Sequence, residues 1–189
     1  KSLGVADATG IAKYLNLSKG AWVKVDGKWY WKENGTYKKN SWLMYGGDWY
    51  WLTSDGSMAT GLTTIAGTKY YFNGSGVMQT GFITINNHTY YFNSSGGMLS
   101  GWISDSGQWY HSDTEGVIQS GWQVIDNKKY YFEANGKLKV GWVQDDETKG
   151  WYYIAGRHEH SSGWTYIGSD WYYFNPTSGE MQTGWLTIG

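Results

Sequence analysis

The sequence predicts an all-β fold, a solenoid of stacked two-stranded β-hairpins in repeats of about 20 residues, preceded by a short helical connector. Three observations predict it: a Gly-Trp-like anchor that recurs at nearly constant spacing, an aromatic cluster seven to ten residues after each anchor, and two turn signals in each repeat. Self-similarity at a fixed period is typical of repeat architectures. The anchors are Ala21-Trp22, Ser41-Trp42, Gly61-Leu62, Gly81-Phe82, Gly101-Trp102, Gly121-Trp122, Gly141-Trp142, Gly163-Trp164 and Gly184-Trp185.

The first predicted element is a helix near the start of the chain. Apolar residues between Ile11 and Leu15 have helical spacing, and Asp7 is placed to cap the N-terminus of that helix. We expect residues 1–19 to be a connector or the closing helix of an upstream domain. Residues 20–189 are expected to form the solenoid, with eight full hairpins and the start of a ninth.

Each hairpin is predicted from an anchor strand, a two-residue turn and an aromatic strand. The turns contain residues that tolerate a positive φ, as type I′ hairpin turns require. These turns are Asp26-Gly27, Gly46-Gly47, Ala66-Gly67, Asn86-Asn87, Ser106-Gly107, Asp126-Asn127 and Gly168-Ser169. A second turn signal, such as Asp55-Gly56, leads the chain to the next hairpin. Residues 145–150 lengthen the turn of one hairpin. Because a lone hairpin is marginally stable, the hairpins must stack on their neighbours.

The composition supports an aromatic core and excludes several classes of protein. The 189 residues include 14 Trp and 17 Tyr, whose large side chains supply the area that Leu and Val usually bury. The absence of Cys excludes a disulfide framework and thiolate metal sites. A net charge of −1 shows no excess of basic residues, which binding to a nucleic acid or an anionic membrane would favour. No apolar segment is long enough to span a membrane.

The repeats share the motif Gly-Trp, then Trp-Tyr-Tyr or Trp-Tyr-Trp, then Gly-x-Met-x-Thr-Gly. Examples are residues 49–51 with 56–61, and residues 171–173 with 179–184. The motif resembles the choline-binding repeats of Gram-positive cell-wall proteins, over residues 20–189. The resemblance implies a non-catalytic, extracellular module of an adhesin, an autolysin or a phage endolysin. Such a module holds the choline or phosphocholine of cell-wall teichoic acids in aromatic cages between successive hairpins.

The resemblance also suggests what this module was attached to. The segment Thr9 to Asn16 is similar to the closing helix of a cell-wall amidase domain. The expected neighbour is therefore a wall hydrolase such as an amidase, with an adhesin as the other possibility. We expect the module itself to be neither an enzyme nor dependent on a cofactor.

Aromatic faces are the effective way to bind the quaternary ammonium of choline, because this group donates no hydrogen bond. We expect each cage to combine two Trp of one hairpin with a ring nine residues after the next anchor, and several cages to engage one polymer. The residues predicted to bind choline, cage by cage, are Trp22, Trp29 and Trp51; Trp42, Trp49, Tyr71 and Met58; Trp102, Trp109 and Tyr131; Trp142, Trp151 and Tyr173; and an incomplete pair, Trp164 and Trp171. Lys69 and Lys129 stand where a second Trp would be, and their charge disfavours choline there.

A second interpretation is a repeat domain that binds carbohydrate. Residues 60–73 and the following unit are more similar to repeats that bind glucan or other surface glycans. There, flat rings would stack on sugars, and Asn73, Asn93 or Gln79 would supply hydrogen bonds. This interpretation predicts that sugars, not choline, compete for the site.

A third interpretation is a purely structural, self-associating solenoid, in which the rings only fill the core. The tyrosines eight residues after an anchor, such as Tyr70 and Tyr130, are expected to be core residues, because they alternate away from the cage face. An open edge hairpin makes a homodimer plausible. His158-Glu159-His160 has no third ligand nearby in the sequence and is expected to be a solvated turn rather than a metal site.

Overall fold

The computed structural model describes residues 20–155 and 161–187, which form repeated antiparallel hairpins without a helix. The predicted connector in residues 1–19 and the segment His158-Glu159-His160 lie outside the described residues. The strands are β1 Ala21–Val25, β2 Lys28–Glu33, β3 Thr36–Tyr37, β4 Ser41–Tyr45, β5 Asp48–Leu52, β6 Gly61–Ile65, β7 Thr68–Phe72, β8 Gly81–Ile85, β9 His88–Phe92, β10 Gly101–Asp105, β11 Gln108–Ser112, β12 Gly121–Ile125, β13 Lys128–Phe132, β14 Gly141–Gln144, β15 Trp151–Ile154, β16 Gly163–Ile167 and β17 Asp170–Phe174.

These strands pair into eight hairpins. Hairpin 1 is β1-β2 with β3 added at its edge, and hairpins 2 to 8 are β4-β5, β6-β7, β8-β9, β10-β11, β12-β13, β14-β15 and β16-β17. The all-β hairpin repeat that the sequence predicts is therefore confirmed.

Six of the seven predicted two-residue turns have positive φ at both positions, as the sequence predicts, whereas in Gly168-Ser169 only Gly168 does. Asp26 and Gly27 have φ values of 47° and 80°, and Ala66 and Gly67 have values of 49° and 84°. Positive φ at both positions is the signature of a type I′ turn, whose twist matches that of the flanking strands. At Ala66 the Cβ atom makes this conformation costly, because L residues with a side chain avoid the left-handed region.

Each hairpin has two faces that carry different side chains. In hairpin 2 the register pairs Trp42 with Trp51, so their side chains share one face, which we call the anchor face. Trp49 lies two residues before Trp51 on β5 and points to the same face. Tyr50 and Leu52 alternate to the opposite face, which we call the rear face.

Hairpins 2 and 3 stack with the anchor face of hairpin 2 against the rear face of hairpin 3. The ring centroid of Trp42 in hairpin 2 lies 5.0 Å from that of Tyr70 and 5.8 Å from that of Phe72, both in hairpin 3. The last rear-face residue is fully buried in most hairpins: Leu52, Phe72, Phe92, Phe132, Ile154 and Phe174 are each 0% exposed. Aromatic and aliphatic side chains between neighbouring hairpins therefore form the core of each compact unit.

The linkers between hairpins are closed by short polar side chains. Asn73 Oδ1 accepts hydrogen bonds from the backbone N–H groups of Ser75 at 2.9 Å and Val77 at 3.0 Å. Asp113 Oδ1 accepts the equivalent pair two linkers further along, at 2.9 Å each. Local bonds of this kind fix the direction in which the chain enters the next hairpin.

The chain forms two compact units. Of the described residues, one unit contains those up to Ile83 together with Phe92–Met98, and the other contains Thr84–Tyr91 together with those from Leu99 onward. Sequential hairpins within each unit repeat the same stacking.

Candidate ligand-binding sites

The first unit contains an open aromatic site between hairpins 2 and 3, which we call site 2. The rings of Trp42 and Trp49 lie 6.1 Å apart at 87°, and Tyr70 of hairpin 3 lies 5.0 Å from Trp42 at 71°. Met78 follows hairpin 3 and donates its backbone N–H to the carbonyl oxygen of Trp49 at 2.8 Å. These four residues line a cavity of about 450 Å³ together with Ser94 and Ser95.

Site 1 lies between hairpins 1 and 2 and has the same parts with one extra ring. Trp22 lies 5.1 Å from Tyr50 and 6.4 Å from Tyr45, between ring centroids. Trp29 and Met58 line the same cavity, of about 350 Å³. Burial, with the nearby carboxylate of Asp48, raises the pKa of the Tyr50 phenol.

Site 5 lies in the second unit, between hairpins 5 and 6. The ring of Trp102 lies 6.3 Å from Trp109 at 83° and 4.9 Å from Tyr130 at 73°. Leu138 takes the place of methionine, with its backbone N–H donated to the Trp109 carbonyl at 2.7 Å. His111 stands across the hairpin from Trp102, with ring centroids 5.1 Å apart, so it forms part of the wall behind the site.

Site 7 lies between hairpins 7 and 8. Trp142 is 6.3 Å from Trp151 at 81° and 4.9 Å from Tyr172 at 70°, and the Met181 N–H bonds to the Trp151 carbonyl at 2.7 Å. The geometry repeats that of site 2 although the turn of hairpin 7 is longer. The spacing between the two Trp is therefore less important than the strand register, which pairs Trp142 with Tyr153.

The structure brings together the Trp pairs that the sequence predicts at these four places, but it corrects the third ring. Trp51 and Tyr173 pair with the anchor of their own hairpin, Trp42 and Trp164, each at 5.3 Å. Tyr131 likewise lies 5.1 Å from Trp122. The rings that face the preceding Trp pairs are instead the tyrosines one residue earlier: Tyr50, Tyr70, Tyr130 and Tyr172.

The physical reason is that hairpins stack anchor face to rear face. The residue nine positions after an anchor shares the anchor face, whereas the residue eight positions after it is on the rear face and meets the preceding hairpin. Tyr71 accordingly lies across from Leu62 in its own hairpin. Strand alternation in the sequence separates Tyr70 from Tyr71, but it does not determine which of the two faces meets the neighbouring hairpin.

The methionine assignment shifts by one site for the same reason. Met58 lines site 1, where its N–H bonds to the carbonyl of Trp29 at 2.7 Å, rather than site 2. The methionine of site 2 is Met78, which follows the next hairpin. The fifth predicted pair, Trp164 and Trp171, is 58% and 64% exposed.

The interface between hairpins 6 and 7 contains a lysine in place of the second Trp. Lys129 Nζ lies 4.4 Å from the ring centroid of Trp122 and 4.2 Å from that of Tyr152. The same ammonium is 3.4 Å from Asp145 Oδ2. Hydrogen bonds from the backbone N–H groups of Thr148 and Glu147, together with this ammonium, hold the pKa of Asp145 below its usual range.

The polar residues predicted to bind a glycan make hydrogen bonds within the linkers. Asn73 and Asn93 each accept two backbone hydrogen bonds within their own turns. Gln79 donates its side-chain amide to the carbonyl of Val77 at 3.0 Å. The oxygens of both asparagines are therefore already used by the fold.

The described residues contain no group of three or more His, Cys, Asp or Glu side chains that could hold a metal ion. Within the same residues, no helix is long and apolar enough to cross a membrane. The four sites offer ring faces, and a methionine lies beside the rings at sites 1, 2 and 7.

Sequence comparison identifies repeats along most of the described chain. The family model for the choline-binding repeat matches residues 79–116. The model for the cell wall binding repeat matches residues 20–35, 40–58, 60–78, 120–138 and 162–181. The matched ranges leave out residues 139–161, which contain hairpin 7 and its longer turn. No curated protein sequence matches significantly.

Three solved structures from Streptococcus pneumoniae are similar to this chain. CbpJ is 29% identical, with 87% of this chain and 64% of that chain covered and a TM-score of 0.74. Choline binding protein F, crystallised in the presence of a peptidoglycan analogue, is 32% identical, with coverages of 82% and 56% and a TM-score of 0.72. The chain thus spans less than two thirds of each of these two proteins.

The third structure is the choline-binding domain of CbpL, which is 32% identical. It has a TM-score of 0.67, and the match covers 85% of both chains. Together with the repeat models, which recur from residue 20 to residue 181, this match shows that the chain belongs to the family of choline-binding repeat proteins.

Proposed function

We propose that this chain attaches its protein to a bacterial cell wall by binding the choline groups of teichoic acids at sites 1, 2, 5 and 7. One observation carries the proposal: at each site two Trp of one hairpin meet a Tyr of the next, and at sites 1 and 2 these three rings line an open cavity. At site 2 the walls are Trp42, Trp49 and Tyr70, and Met78 closes the cavity from a fourth side.

The composition of the walls suits a quaternary ammonium. Its methyl groups offer no hydrogen-bond donor, and ring faces attract the charge, each by roughly 0.5–2 kcal/mol. Near-perpendicular Trp rings, at 87° in site 2, present one face and one edge to the same space. Trp49 keeps 42% of its surface exposed, so a ligand can reach its face without any rearrangement of the hairpin.

A polymer with many choline groups makes weak sites effective. A single site of three rings is expected to bind free choline in the millimolar range, or about 4 kcal/mol. When one site engages, linked choline groups reach the others at a high effective concentration, and avidity rises by about 10²–10⁴ without new contacts. Sites in both units therefore suit a binding module whose role is retention on the wall.

The glycan interpretation has less support at the residues named for it. The side-chain oxygens of Asn73 and Asn93 are bonded within their own linkers, so a sugar would have to compete with the turn. Choline binding protein F was crystallised with a tetrasaccharide-pentapeptide peptidoglycan analogue present, and an oligosaccharide therefore belongs in the test.

The test is calorimetric titration of the 189-residue chain with choline chloride, beside ammonium chloride and an α-glucan oligosaccharide. We expect saturable choline heat, about four equivalents per chain and a raised thermal midpoint, with no comparable response to ammonium. Trp49→Ala removes one equivalent, whereas Trp185→Ala, at a Trp that is 105% exposed, keeps all of them. If choline gave no heat of binding and the oligosaccharide did, the chain would instead be assigned to the glycan-binding class.

A further inference from the structure

The interface between hairpins 6 and 7 has the rings of a binding site but also has its own cation. Trp122 is an anchor, and Tyr152 is the rear-face tyrosine of the next hairpin, 4.8 Å away between ring centroids. This pair corresponds to Trp42 and Tyr70 in site 2, at 5.0 Å. Among the described residues of this interface, one difference from a binding site is the residue seven positions after the anchor, which is Lys129.

We propose that the Lys129 ammonium is a built-in occupant of this aromatic site, held where the other sites take an ammonium ligand, and that it excludes choline from the interface. Its Nζ atom lies 4.4 Å from the Trp122 ring centroid and 4.2 Å from that of Tyr152, both within the range of a cation–π contact. The Tyr152 hydroxyl accepts a hydrogen bond from the same Nζ at 3.2 Å. The proposal rests on the proposed function for the other four sites.

A counter-charge accompanies the cation. Asp145 Oδ2 lies 3.4 Å from Lys129 Nζ, and the two side chains are only 11% and 25% exposed. The other oxygen, Asp145 Oδ1, accepts the backbone N–H groups of Glu147 and Thr148, each at 3.0 Å. The longer turn of hairpin 7 thus supplies a carboxylate that is fixed by the backbone and has one oxygen directed at the ammonium.

This arrangement defines what the site accepts once Lys129 is shortened. The atoms that Lys129→Ala removes are three methylenes and the ammonium, which together match n-propylammonium. The emptied space keeps two ring faces, a phenol oxygen and a paired carboxylate, all placed for a monovalent alkylammonium. Loss of the occupant leaves Asp145 without its partner, which destabilises a carboxylate that is largely shielded from water.

The experiment compares Lys129→Ala with wild type and with Lys39→Ala, which removes the same charge from an exposed position. We expect the midpoint of Lys129→Ala to fall by about 2–4 °C, the usual size of shift for a modest loss of stability in a chain of this length. Added n-propylammonium chloride should raise the midpoint of Lys129→Ala more than those of the other two proteins. The neutral analogue 1-propanol should not.

A second variant tests the role of the carboxylate. In Lys129→Ala with Asp145→Asn, the asparagine oxygen still accepts the turn hydrogen bonds but carries no charge, so the extra response to n-propylammonium should disappear. Equal n-propylammonium shifts in wild type and Lys129→Ala, or restoration by 1-propanol, would overturn the assignment of Lys129 as occupant.

Choline itself tests whether Lys129 excludes the ligand. Equilibrium dialysis should count one more bound choline per chain for Lys129→Ala than for wild type. A restored midpoint with an unchanged count would refute the exclusion. If wild type bound no choline, the proposed function would fail, whereas the n-propylammonium response would still decide whether Lys129 occupies the site.

Discussion

Exchange of Tyr70 for leucine tests the stacking geometry at site 2. Tyr70 is the third ring of that site, 5.0 Å from Trp42 at 71°, and leucine keeps apolar volume while it removes the ring face. Loss of one ring from a cation–π site costs about 0.5–2 kcal/mol, which corresponds to an affinity that is about 2- to 30-fold weaker. The lost aromatic pair also destabilises the fold by about 0.5–1.5 kcal/mol.

The matched control is Tyr71→Leu, one residue along the same strand. Tyr71 lies across from Leu62 on the anchor face of hairpin 3, so this exchange leaves the three rings of site 2 in place. Choline titrations followed by the indole N–H signals of Trp42 and Trp49 report the affinity of site 2 alone. The signals of Trp102, in site 5, serve as an internal standard.

Tyr70→Leu should weaken only the response of Trp42 and Trp49, and Tyr71→Leu should leave it within about twofold. A larger effect of Tyr71→Leu would contradict the stacking of anchor face on rear face. That outcome would restore the residue nine positions after the anchor as the closing ring.

Three further predictions concern the fold. Ala66 has a φ of 49° in a type I′ turn, so Ala66→Asn should raise the free energy of unfolding by about 1 kcal/mol in urea titrations, and an unchanged or lower value would contradict the turn assignment. Asn73→Ala removes the acceptor of two linker bonds and should destabilise by about 1–3 kcal/mol with the choline count unchanged, whereas Asn73→Asp keeps the acceptor, as Asp113 does. A lost choline equivalent would make Asn73 a ligand. Asp145 has a lowered pKa, so its contribution should be constant above its unfolded pKa of about 3.9 and lost as the pH falls through the lower folded value. Asp145→Asn should therefore flatten the decline of the urea midpoint below pH 4, and a parallel decline would refute this.

The repeat, the turns and the Trp pairs could be predicted from the sequence because they depend on local rules. Asp26-Gly27 specifies its own turn, and a spacing of twenty residues is visible without coordinates. The partner of each face could not be predicted this way. Alternation separates Tyr70 from Tyr71, but only the stacking decides which of the two meets Trp42.

The position of the Lys129 ammonium could not be predicted from the sequence, for a different reason. Its charge was sufficient to predict that choline is disfavoured there, but its place between two rings depends on Asp145, which the longer turn of the next hairpin provides. A contact between residues 16 positions apart in two hairpins follows from the stacking rather than from either hairpin alone.

The stacking also explains where binding can be changed without loss of the fold. An anchor such as Trp102 packs on the next hairpin, 4.9 Å from Tyr130 and 5.9 Å from Phe132, so its ring serves both the core and the site. In the regular hairpins, the side chain seven positions after the anchor contributes less to the core. Trp49 is 42% exposed, and its backbone carbonyl, which accepts the linker bond at 2.8 Å, is present whatever the side chain. A lysine at this position, such as Lys129, therefore preserves the stacking of the hairpins while it replaces one aromatic wall of the proposed site with a charge.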